Sequence, residues 1–128
     1  MGYGTPIGRV RGLGAAKEGT HHWWRQRLTA GGNIALMGWL LLSLARLSSL
    51  DYAGVHLWLS SPWVAVPMAA LILNVFYHFR LGLQVVIEDY QHNETRVVLM
   101  VLLNVYTLAL GAIGIFSVLK IAFSGAAH

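Results

Sequence analysis

The chain has 128 residues, 56% hydrophobic and only 11% charged, with a net charge of +4. Average globular proteins carry roughly 25% charged residues, and a soluble chain this small needs them to cover a surface large for its volume. The composition is that of a membrane protein. Cysteine is absent, which excludes iron–sulfur ligation by thiolates, covalent c-type haem attachment, zinc ribbons, disulfides and thiol catalysis.

Residues 1–27 form a basic, glycine-rich arm. It carries Arg9, Arg11, Lys17, Arg25 and Arg27 against the single acid Glu18, and it ends in the interfacial pair Trp23 and Trp24. The long basic region and the length of the following apolar run argue against a signal peptide. Pro6 stands where a myristoylation pattern needs Ser or Thr. A charge concentrated ahead of an apolar span sets orientation and does not point to nucleic acid.

Residues 28–128 read as a three-helix transmembrane domain, with spans at about 29–47, 63–87 and 97–119. Each has roughly the 20 residues that cross a hydrocarbon core, and each must be helical because lipid cannot satisfy an open strand. Ser48 to Pro62 and Glu88 to Glu94 are connectors, and Asn93 or Thr95 is a candidate cap for the third span. The basic bias places the N-terminus and second connector in the cytoplasm and the C-terminus outside. Trp23, Trp24, Trp58 and Trp63 bracket the spans as an aromatic belt. Gly31, Ala35 and Gly38 in the first span, and Asn104, Thr107, Gly111 and Gly114 in the third, read as helix-packing stripes.

The second span carries the chemistry. At ~100° per residue, Asn74, His78, Gly82, Val85 and Asp89 lie within about 40° of one line. If Tyr90 marks the membrane edge, His78 lies roughly 18 Å from it, near the bilayer centre. A histidine at that depth faces protein, water or a cofactor. Two readings stand: a neutral imidazole hydrogen-bonded to a neighbouring helix, or an axial ligand to a haem lying flat against the space that Gly82 clears. The other histidines lie outside the spans, so a haem with two histidine ligands needs a second chain. Arg80 points about 200° away from His78, leaving it to snorkel, pair with a partner, or reach a cofactor carboxylate. Arg25 and Arg27 either set topology or neutralise haem propionates or steady a quinone.

The run His78-Phe-Arg-Leu-Gly82-Leu-Gln-Val-Val-Ile-Glu88-Asp89-Tyr90, with His and Tyr twelve apart, resembles the second-helix motif of the succinate dehydrogenase hydrophobic membrane anchor family. Gly19-Thr-His-His-Trp-Trp-Arg-Gln-Arg27-Leu-Thr29-Ala resembles the approach to that family's first helix in alphaproteobacteria. Two residues depart from the family pattern. Glu88 stands where many relatives have threonine, and Arg80 where others have small, aromatic or histidine residues.

The resemblance implies an all-α membrane protein that forms half of a heterodimeric helical membrane domain in the bacterial inner membrane. Its partners would be a cytochrome b-type anchor subunit, an iron–sulfur subunit and a flavoprotein subunit that oxidises succinate. It implies His78 as an axial ligand of a shared haem b and Tyr90 as hydrogen-bond donor to a ubiquinone carbonyl. It also implies Asp89 shaping that site and Arg27 near the haem propionates. A tyrosine hydroxyl at the membrane edge suits the quinone role physically, because its bond strengthens as charge develops on the oxygen. Glu88 and His92 read as solvated connector groups. Two other functions are open: a haem-free structural anchor of a succinate dehydrogenase or fumarate reductase, and a small transporter component. The first and third spans offer the transporter too little polarity.

Overall fold

The structure, a computed structural model, describes residues 5–7 and 19–125. Arg9, Arg11, Lys17 and Glu18 of the basic arm, and the terminal His128, lie outside the described residues. Among the described residues, helices α1 Gly19–Ala45, α2 Tyr52–Leu59, α3 Pro62–Tyr90 and α4 Asn93–Gly125 follow one another. No strand occurs among the described residues.

Three of the helices, α1, α3 and α4, are long and apolar enough to cross a membrane. α3 and α4 extend beyond both ends of the spans expected from hydropathy, while α1 starts ten residues early and ends at Ala45, two residues short. α1 begins at Gly19, so His21, His22 and the tryptophan pair belong to its first turns and not to an arm. Once an apolar stretch is helical, polar residues on its flank continue it at little cost, since each added residue contributes a backbone bond.

The first connector is not plain loop. α2 forms there because Asp51 caps it: the extended Asp51 accepts from the Gly54 N–H at 2.8 Å, and the Ser49 hydroxyl donates to the same oxygen at 2.6 Å. These two donors, Ser49 first, hold the Asp51 carboxyl below the usual carboxylate range. Trp58 on α2 stacks on Trp39 of α1, centroids 6.1 Å apart and planes 20° from parallel. Trp58 therefore packs on a helix of its own chain.

Pro62 opens α3 in the first turn, where a missing N–H breaks no bond. The turn into α4 passes through Asn93 at φ 63, a left-handed conformation that asparagine tolerates.

α3 is the central helix: α1 packs along one side of it and α4 along another, while α1 and α4 do not meet. The buried residues of α4, Leu103, Thr107, Gly111 and Val118, recur at helical spacing on one face. Gly111 faces the Phe76 ring and Gly114 faces Ile72, as the packing stripe requires. On α1 a Cβ at Gly31 or Gly38 would meet nothing within 4 Å among the described residues, and the glycine that packs within this chain is Gly32. A Cβ there would lie 2.8 Å from Asn74 Nδ2.

Candidate functional site

The seam between α1 and α3 is polar at its middle. Asn74 Nδ2 donates to the Thr29 carbonyl and to Asn33 Oδ1, both at 2.8 Å. One turn further along α3, His78 Nδ1 lies 2.9 Å from Thr29 Oγ1. The buried Thr29 hydroxyl also lies 2.7 Å from the Arg25 carbonyl and 3.1 Å from the Gln26 carbonyl.

A proton count gives this contact its direction. The hydroxyl has one hydrogen and two carbonyl acceptors inside its own helix, the usual back-bonding of a helical threonine. With that hydrogen assigned to Arg25 O, the shortest contact, Oγ1 accepts from His78 Nδ1–H. The imidazole is then the tautomer that carries its lone pair on Nε2. A ring nitrogen held by a polar neighbour while the other stays free is the arrangement found behind metal-ligating histidines.

The donor set fits one axial position of a haem iron and no more. Among the described residues, no group of three or more His, Cys, Asp or Glu could hold a metal ion. Gly82 contributes less than expected to this fit. A Cβ at Gly82 would stand 3.7 Å from Gln26 Nε2, an ordinary contact with α1.

The other expected site residues are dispersed. Tyr90 is the last residue of α3 and 77% exposed, and Asp89 beside it is exposed. Tyr90 lies twelve residues beyond His78, about 18 Å along the axis at ~1.5 Å per residue. Arg27 is exposed and sits over the Trp23 ring, 5.4 Å from its centroid. Glu88 accepts from Gln84 at 3.0 Å and pairs with Arg96 at 3.7 Å, so this carboxylate is engaged at the head of α4. Arg80 does not snorkel outward: its Nε donates to Asn104 Oδ1 of α4 at 2.5 Å.

Sequence reasoning found His78 and Asn74 but gave no role to Thr29 or Asn33. The signal was present as polar residues Gln26, Thr29 and Asn33 at helical spacing in α1, matching the Asn74–His78 stripe on α3. Asn104 was read as packing only, and its amide proves to be the partner of Arg80.

Residues 1–113 match the family described as "Succinate dehydrogenase/Fumarate reductase transmembrane subunit". The chain is similar to the succinate dehydrogenase hydrophobic membrane anchor subunit of Rickettsia bellii (strain RML369-C), 33% identical over 104 residues that cover 80% of this chain and 82% of that one. It is also similar to the same subunit of Paracoccus denitrificans, 26% identical over 120 residues covering 94% and 93%. No solved structure matches.

Proposed function

The chain belongs to the succinate dehydrogenase/fumarate reductase transmembrane subunit family, and we propose that it is the anchor and electron-transfer subunit of a succinate:ubiquinone oxidoreductase. In this reading it sits in the bacterial inner membrane, N-terminus in the cytoplasm, beside a cytochrome b-type anchor. It docks the iron–sulfur and flavoprotein subunits, and succinate is oxidised on the flavoprotein. The basic residues ahead of α1 support that orientation.

The observation that carries the proposal is the 2.9 Å contact between Thr29 Oγ1 and His78 Nδ1 inside a membrane helix; with Nδ1–H as the donor, Nε2 keeps its lone pair for a ligand. A haem b held there supplies one-electron transfer. This chain's part is to fix the imidazole ring: Thr29 sets its tautomer, and Asn74 locks α1 against α3 one turn away. A second ligand would come from the partner subunit. Arg27, on the approach to α1, would face the haem propionates, and Gly82 would keep the helix surface low beside the ring.

At the membrane edge, Tyr90 would donate to a ubiquinone carbonyl, with Asp89 shaping the site. The exposed end of α3 gives protons a route from water. As charge grows on the carbonyl oxygen, the phenol hydrogen bond strengthens, which lowers the barrier to reduction.

Two substitutions in the purified complex test this. His78→Leu should abolish the b-type band in a dithionite-reduced minus oxidised spectrum; an unchanged spectrum removes His78 as ligand. A wild-type complex without that band is a haem-free anchor. Tyr90→Phe should lower succinate–quinone reductase activity while sparing succinate oxidation with a soluble acceptor, and equal loss of both contradicts the quinone role.

A further inference from the structure

Because α1 and α4 flank α3 without touching each other, one face of α3 is left open between them. Leu73, Tyr77, Arg80, Gln84 and Glu88 fall on that face within about 80° of arc at ~100° per residue. His78 lies outside this arc, turned toward α1.

Two cavities follow each other along the stripe. Nearer the membrane edge is a polar cleft of about 510 Å³ lined by His21, His22 and Arg25 of α1 and by Arg80, Gln84 and Glu88 of α3. Deeper lies an apolar groove of about 390 Å³ between α3 and α4, lined among others by Leu73, Tyr77, Leu108, Gly111 and Ile115. Arg80 lines both.

Charge is unbalanced in the cleft. Its one acid, Glu88, pairs with Arg96, and no ion pair to Arg25 or Arg80 occurs among the described residues. The buried His22 Nε2 has no hydrogen-bond partner among the described residues. Arg80 is anchored through Nε to a neutral amide, and its remaining N–H donors have no anion among the described residues. A cation at that depth is costly unless it is paired. Snorkelling toward the near edge is opposed by geometry. That edge is the C-terminal end of α3, whereas Cα–Cβ bonds tilt toward the N-terminus.

The dimensions identify the missing anion. From Glu88 to Arg80 the stripe runs about 12 Å, and from Arg80 to Leu73 about another 10 Å, at ~1.5 Å per residue. The sum is about half the 40–45 Å thickness of a bilayer with its headgroups. We propose that an anionic phospholipid of the leaflet next to the α1 N-terminus occupies this face. Its phosphate lies in the cleft among Arg25, His21, His22 and Arg80, and one acyl chain lies in the α3–α4 groove. The site is separate from the haem and quinone roles proposed above. Arg27, the residue assigned to the haem propionates, projects about 160° from Arg25 around α1.

The test uses the complex purified in mild detergent from cells containing phosphatidylglycerol, cardiolipin and phosphatidylethanolamine, with bound lipids quantified by mass spectrometry. Wild-type complex should retain anionic phospholipid at about one per chain. The double variant Arg25→Gln/Arg80→Gln should lose it by about tenfold or more, as expected for removing charge-assisted bonds to phosphate. Arg46→Gln, beyond the other end of α1, should keep it. Leu108→Trp should displace it by filling the groove without changing charge.

Unchanged anionic lipid in the double variant and in Leu108→Trp overturns the proposal. So does loss of haem absorbance, quinone or a partner subunit with lipid content unaltered. If the double variant does not assemble, heating the wild-type complex decides: phosphatidylglycerol should raise its Tm more than phosphatidylcholine does, and equal shifts reject the site.

Discussion

The two seams of α3 are built from different chemistry. Against α4 the middle of the contact is steric: Gly111 faces the Phe76 ring, Gly114 faces Ile72, and the buried Thr107 hydroxyl turns back to its own Leu103 carbonyl, while the directional links, Arg80 to Asn104 and Glu88 to Arg96, lie toward the α4 N-terminus. Against α1 the contact is directional, with Asn74, Asn33, Thr29 and His78 joined by hydrogen bonds of 2.8–2.9 Å. Lipid is as apolar as leucine, so close packing by small residues suffices to hold two helices together. Packing alone cannot choose an imidazole tautomer or fix a ring's rotation. The polar seam ties the ring to Thr29 by a hydrogen bond, and it lies where the proposed ligand is.

The largest expected effect comes from removing orientation while keeping shape. Thr29→Val preserves volume but deletes the hydroxyl that His78 Nδ1 contacts. Loss of such a supporting partner typically weakens metal binding about 10- to 100-fold. The haem b content of the purified complex, and the midpoint potential of what remains, should both change. An unaltered content and potential would mean that the threonine bond is packing alone.

Next comes the lock between the helices. Asn74→Leu removes two bonds and leaves Asn33 Oδ1 without its donor. At roughly 0.6–1.7 kcal/mol per membrane hydrogen bond, the loss is about 1–3 kcal/mol, readable as a lower Tm of the solubilised complex. Gly32→Ala should act in the same direction, since its Cβ would meet Asn74 Nδ2 at 2.8 Å and force the amide away. If Gly32→Ala is neutral, the seam is looser than its geometry implies.

The steric seam should respond less. At Gly111 a Cβ would stand 3.7 Å from Phe76, and at Gly114 3.3 Å from Ile72. Gly111→Ala should therefore gain part of the roughly 1 kcal/mol helix-propensity difference, and Gly114→Ala less of it or none. The ranking of the two Tm values checks this.

The smallest effect lies outside both seams. The Asp51 cap is exposed, and its carboxyl is held down by Ser49 and the Gly54 N–H. Its contribution to α2 is complete above the ordinary carboxylate range and fades as pH falls through the lowered folded-state value. Protection of the Gly54 amide relative to its intrinsic exchange rate should fall over that acidic window, and Asp51→Asn should flatten the dependence.

Three helices in a membrane were legible from residue order alone, because lipid leaves a 20-residue apolar run no other way to satisfy its backbone. The stripe of Asn74, His78 and Gly82 was equally legible, since helical periodicity is a property of the chain itself. Helix neighbours were not. Periodicity says which residues share a face but not what that face meets. So Gly31, Ala35 and Gly38 looked as suited to packing as Gly32, the glycine that does pack within this chain.

The α2 helix was missed for a related reason. Eight residues are too few for propensity to carry, and the Asp51 cap and the Trp39–Trp58 stack define it. Composition and spacing made this a membrane protein with a deep histidine. Only the tertiary arrangement gave that histidine to Thr29 and Arg80 to Asn104, because hydrogen bonds between helices depend on rotation and depth, which the order of residues along one helix does not specify.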